Sequence, residues 1–230
     1  MKFNSLFKGM KNILLGPKGK NILLASLIMS LLNFLIPVFL INFIVDVIGI
    51  YYISEIVIKE IRDIDGNNFG SLGGVLAAKV IFGLKVFLIN FSVGILGLLS
   101  FFLSPILSLP IIIVLIIVMI IVNILLLLDG YAITYIGINN PEMSPLDIVR
   151  QSRISIKGKR LPVFLYTTII NLILVLINLI VSFPFILTFT LFTPILLPII
   201  AILVVTISNM TLSVASVIIA HKYLKPLDEE

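Results

Sequence analysis

An ionisable or amide side chain set inside a long apolar run must find a partner or carry a function, because hydrocarbon offers it no water. The sharpest such residue in this 230-residue chain is Asp46, the only charge between residues 21 and 54. At about 1.5 Å per residue from a turn near Pro37, it lies roughly 14 Å deep, close to the middle of a bilayer. Asn42 sits one helical turn away on the same face, and Asn123, Asn171 and Asn209 reach comparable depths in later apolar runs. Polar residues also recur at helical intervals: Thr206, Asn209, Ser213 and Ser216 in the last run, Thr167, Asn171, Asn178 and Ser182 in the run before it, and Ser26, Ser30 and Asn33 in the first. Two chemistries fit. Asp46 is a proton or cation carrier, with the amides lining a path or a small-ligand site. Alternatively these groups form interhelical hydrogen bonds worth about 0.6–2 kcal/mol each, with Asp46 protonated or capped by asparagine. We prefer the second; no basic residue is expected at the depth of Asp46.

Other chemistries are excluded by composition. There is no cysteine and one histidine, so thiolate catalysis, disulfides, Cys- or His-cluster metal sites and Ser-His-Asp machinery have nothing to build on. No phosphate-binding loop, nucleophile elbow, zinc-protease or dinucleotide fingerprint occurs. The chain reads as a non-enzyme with no cofactor and no metal. Asp129 beside Gly130 and Tyr131 reads as an ordinary interfacial acid, Glu55 as the i,i+4 partner of Lys59, and His221 as a plain interfacial residue. Gly94, Gly97, Ser100 and Ser104 suit close helix packing.

The elements that must position these residues are transmembrane helices. Hydrophobic residues make up 60% of the chain and charged ones 12%, with a mean hydropathy of +1.26, against about 25% charged in soluble domains. The apolar runs divide into about six spans, over residues 21–35, 37–58, 86–103, 110–128, 161–182 and 193–220. Residues 21–58 hold the weakest division, since the first helix is short; one long tilted helix or a re-entrant element is the alternative. A short interfacial helix over residues 75–85 feeds the third span, and Ser144-Pro145-Leu146-Asp147 opens an amphipathic helix running to about Ile156. The N-terminus reads as an uncleaved first span.

The net charge of +5 is distributed as membrane-flanking clusters, not as a basic groove for nucleic acid. With about six spans all sixteen Lys and Arg share one side, and the opposite turns, near residues 33–37, 104–110 and 183–194, carry no charge. That side is the cytoplasm, where both termini lie. The tyrosines agree, falling at or near the same helix ends. Arg150, Arg153, Lys157, Lys159 and Arg160 cluster just before the fifth span; contact with anionic lipid is the preferred reading and docking of a partner the alternative. Lys18-Gly19-Lys20-Asn21 and Lys157-Gly158-Lys159-Arg160 form a faint internal echo, each opening a two-helix hairpin; a common interfacial anchor is the preferred reading and a parallel internal repeat the alternative.

The stretch Asn140-Pro141-Glu142-Met143-Ser144-Pro145-Leu146-Asp147-Ile148-Val149-Arg150-Gln151-Ser152, followed by Lys157-Gly158-Lys159-Arg160 and Phe164, resembles the loop of a family of uncharacterised multi-pass bacterial membrane proteins. Ser152, Lys157, Gly158 and Phe164 match that family's pattern at its spacing, while Ile156 stands for its methionine and Lys159 for its asparagine. The resemblance covers about 30 residues and implies a bacterial, or failing that archaeal, cytoplasmic membrane protein of all-α fold. It implies no activity.

Minimal loops and the lack of a catalytic motif point to a scaffold, a transporter accessory subunit or an immunity-type component. Its partners would be the bilayer with its anionic lipids and another membrane protein or a second copy of itself. The rival is a small permease or channel-like carrier using Asp46 and the asparagines.

Overall fold

The computed structural model describes the backbone of residues 3–36, 39–62, 70–100, 105–187 and 193–224. Every element within them is helical: α1 (Phe3–Leu15), α2 (Gly19–Leu35), α3 (Phe39–Arg62), α4 (Leu72–Ser100), α5 (Pro105–Gly130), α6 (Ile133–Asn139), α7 (Pro145–Lys157), α8 (Arg160–Leu187) and α9 (Thr193–Tyr223). Five stretches, Ile41–Arg62, Leu72–Ser100, Leu109–Asn139, Arg160–Ile180 and Pro198–Tyr223, are long and apolar enough to cross a bilayer, and Gly19–Leu35 is a shorter apolar helix. Residues 21–58 are therefore two helices, as the chain around Pro37 suggests.

Helix ends follow local chemistry. Ser144 caps α7: its Oγ accepts from the Asp147 amide at 3.3 Å and donates to Asp147 Oδ2 at 2.6 Å, with Pro145 at the first helical position. Between α1 and α2 the chain turns so tightly that a Cβ on Gly19 would lie 2.0 Å from the Leu14 carbonyl oxygen. The two Lys-Gly-Lys stretches lie where the 13-residue helices α1 and α7 meet α2 and α8. Leu6, Met10 and Ile13 are the buried face of α1, and Ile148, Ser152 and Ile156 that of α7.

Some boundaries differ from the expectation. The separate interfacial helix over residues 75–85 does not exist as such; it is the first part of a continuous 29-residue α4. Nothing in Lys79–Lys85 breaks a helix, and the two lysines only resemble an interface. Residues 105–110, expected in a turn, are already helical in α5, because Pro105 occupies the first turn, where its missing N–H costs nothing. Likewise α8 runs past Pro184 to Leu187. The expected fourth span lies in α5. It stops at Gly130, where a Cβ would lie 2.4 Å from the Phe82 ring, and the chain turns into α6, buried from Ile133 to Ile138.

The packed core lies at the basic ends of the helices, where α1, α6 and α7 cover the bundle; it includes Leu6, Ile53, Val57, Val75, Ile138, Ile148, Ile156, Val163 and Ile219. Away from that end the apolar side chains face outward, among them Phe87, Leu88, Phe91, Leu98, Ile113, Ile116 and Ile180. An exposed apolar surface of this extent is compatible with a membrane protein, for which lipid and not water is the solvent. Helices α4 and α5 pack on each other and on α7, while α2, α3, α8 and α9 form a second group that meets them less extensively.

Candidate functional site

Of the expected intramembrane residues, Asp46 finds a partner across a helix pair. Asn33 Nδ2 of α2 donates to Asp46 Oδ1 at 2.6 Å, which joins the polar stripe of α2 to α3. Within that stripe Ser30 Oγ donates to the Ser26 carbonyl at 2.9 Å. Asn42 lies on the same face as Asp46, and its Oδ1 is buried without a hydrogen-bond partner. Among the described residues no ion pair involves Asp46. Lys79 belongs to the continuous α4 and not to a separate interfacial helix.

The remaining amides do not converge on Asp46. Asn123 of α5 pairs reciprocally with Asn90 of α4, at 2.7 and 3.0 Å, and also donates to the Met119 carbonyl at 2.8 Å. Asn171 is exposed and donates to Thr167 O of its own helix at 3.0 Å. Asn209 is half-buried on α9. On the neighbouring turn Asn178 of α8 donates to Ser208 Oγ of α9 at 3.2 Å, and Thr206 Oγ1 donates to the Ile202 carbonyl. The side chain of Ser182 lies outside the described residues. Gly94 and Gly97 do not mediate packing within the chain, since a Cβ on either would meet nothing within 4 Å.

The structure instead gathers polar groups around a cavity of about 550 Å³ between the two helix groups. Its polar lining includes Lys79, Ser54, Thr134, Thr167, Ser213 and Ser216, and its apolar wall includes Phe43, Ile50, Phe82 and Val86. Ser54 Oγ and Thr167 Oγ1 are buried without hydrogen-bond partners, and the Tyr131 phenol lines the same cavity beside Thr167. Tyr135, at the edge of the cavity, bonds His221 Nδ1 through its hydroxyl at 2.9 Å, so the pair braces α6 against α9. A second cavity, of about 540 Å³, follows the α2–α3 groove and ends at the Glu55–Lys59 ion pair, whose 2.8 Å separation matches the i,i+4 expectation.

The basic segment from Arg150 to Arg160 divides in two. Arg160 Nη2 donates to Asp129 Oδ1 at 2.5 Å, Arg153 Nε lies 3.7 Å from Asp129 Oδ2, and Ser152 Oγ donates to the Asp129 carbonyl at 2.5 Å. Asp129 is thus a buried clamp joining α5, α7 and α8, not a free interfacial acid. Lys159 Nζ donates to the Tyr223 carbonyl. Arg150 and Lys157 stand exposed, available to a lipid surface or a partner. No grouping of three or more His, Cys, Asp or Glu suited to a metal occurs among the described residues.

Sequence reasoning missed Lys79, Asn90 and the Asp129–Arg160 pair. For Asn90 a signal existed, an amide deep within an apolar run; for the others the signal depended on helix rotation. No protein-family model, curated protein or solved structure matches the chain.

Proposed function

We propose that the chain is a non-catalytic multi-pass protein of the cell membrane, crossing it about six times with both termini and every basic cluster in the cytoplasm. It acts through another membrane component, as a scaffold, a transporter accessory subunit or an immunity-type protein. The observation that supports this reading is how the mid-bundle polar groups are engaged. Asn33–Asp46, Asn90–Asn123 and Asn178–Ser208 brace helix against helix, as expected of interhelical hydrogen bonds, and Asn123, Asn171 and Asn209 do not line the larger cavity. A continuous polar path is what a carrier needs, and these residues do not form one among the described residues.

The chain is free of cysteine, so single substitutions test the topology directly. Arg150→Cys should react with an impermeant maleimide only after permeabilisation, and Leu35→Cys without it. Native mass spectrometry of the protein extracted from its own membrane should show a stoichiometric second protein. A lone protein that sustains ion flux on reconstitution would refute the reading. The permease reading draws on one observation, the unpartnered Asn42 Oδ1 beside Asp46, and that flux measurement decides for it.

A further inference from the structure

We propose that the cavity around Lys79 binds the anionic head of a membrane lipid. The inference goes beyond the proposed role and stands whether or not a protein partner exists. Lys79 has no carboxylate within ion-pairing distance among the described residues, whose ion pairs involve Lys18, Lys59, Arg153 and Arg160. An ammonium held between apolar helices without a close counter-ion is costly, and residues of this kind mark ligand pathways.

A second observation is independent of the charge. Ser54 Oγ, from α3, and Thr167 Oγ1, from α8, are both buried, line the same cavity and have no hydrogen-bond partner. Helical hydroxyls ordinarily bond a carbonyl one turn back, as Thr206, Thr211 and Ser92 do here. Two hydroxyls left open on one cavity, which the Lys79 cation also lines, present donors to an oxygen-rich anion. A phosphate or carboxylate head satisfies all three at once.

The rest of the cavity selects an amphiphile. Phe43, Ile50, Phe82 and Val86 form its apolar wall, which suits an acyl chain and offers a soluble anion nothing. Its volume falls within the range of about 300–1,000 Å³ typical of small-molecule sites. Bordering helices expose Leu84 and Phe87 on α4 and Leu165 on α8, so in a bilayer the surroundings of the cavity are hydrocarbon.

The test uses the full chain in mild detergent with equal amounts of dioleoyl phosphatidylglycerol and dioleoyl phosphatidylcholine, with retained lipid counted by native mass spectrometry. The anionic lipid should be retained over the zwitterionic one by about fivefold, the factor one basic residue supplies near a membrane. Lys79→Gln should bring the ratio close to one, and Lys79→Arg should restore it. Lys85→Gln, on another face of α4 and outside the lining, should leave it unchanged. An unchanged ratio in Lys79→Gln overturns the proposal. If Lys79→Gln does not fold, the Ser54→Val/Thr167→Val variant carries the same test, and full retention of the preference there overturns it. Displacement of the lipid by millimolar inorganic phosphate would assign the site to the free anion and refute the lipid.

Discussion

The clamp at Asp129 gives the strongest energetic prediction. Its side chain is 8% exposed, while that of Arg160 is 29% and that of Arg153 65% exposed. Replacing Arg160 with Met leaves a buried carboxylate whose remaining cation is 3.7 Å away and mostly in solvent. Breaking one side of a fully buried pair costs about 3–5 kcal/mol; partial exposure of Arg160 and the presence of Arg153 lower this to roughly 2–4 kcal/mol. Asp129→Asn keeps an oxygen acceptor for Arg160 and loses only the charge, a cost of about 1–1.5 kcal/mol. The double variant no longer buries an unpaired charge, so it should be less destabilised than the sum of the singles, with a coupling of about 1–3 kcal/mol. Because the chain has no tryptophan, the assay is far-ultraviolet circular dichroism during unfolding in dodecyl sulfate mixed with a mild detergent. Burial also makes the coupling insensitive to salt, unlike the surface pair Lys18–Glu60. Additivity of the two substitutions within about 0.5 kcal/mol would refute the clamp and the α5–α7–α8 junction built on it.

Four further outcomes follow from other positions. Asn90→Leu or Asn123→Leu should each destabilise the α4–α5 hairpin by about 0.6–1.7 kcal/mol, and the double Leu variant should recover part of that; the same unfolding assay reads both. Gly70 N donates to the Ile138 carbonyl at 2.8 Å while its own carbonyl accepts from Tyr51 Oη at 2.6 Å. A Cβ on Gly70 would lie 1.8 Å from the Gly137 carbonyl, so Gly70→Ala should cost at least about 1–3 kcal/mol. Gly97→Ala, with nothing within 4 Å, should be neutral or gain up to about 1 kcal/mol from helix propensity. Asp46→Asn preserves an acceptor for Asn33 and should leave folding intact; loss of proton- or cation-coupled flux in that variant, measured in vesicles, would favour the permease.

The division between what is local and what is not runs through particular residues. Lengths of apolar runs, the capping Ser144-Pro145 step and the Glu55–Lys59 spacing are properties of one segment at a time. They determined the α2–α3 and α8–α9 hairpins, the start of α7 and the uneven placement of charge, because hydrocarbon permits little besides helices of adequate length. Periodicity also groups residues on one face of a helix. It cannot say which neighbour that face meets. Thr167 and Asn171 share a stripe, yet Thr167 lines the cavity while Asn171 points outward. Gly94 and Gly97 have the spacing of a packing motif but meet nothing, while Gly130, without such a spacing, sits against Phe82. Asp129 and Arg160 are 31 residues apart, and Asn90 and Asn123 are 33 apart. Such pairs depend on the rotation and tilt of one rigid helix against another, and only tertiary packing sets those. The tuck of α6 beneath the bundle and the position of Lys79 among unbonded hydroxyls were decided in the same way.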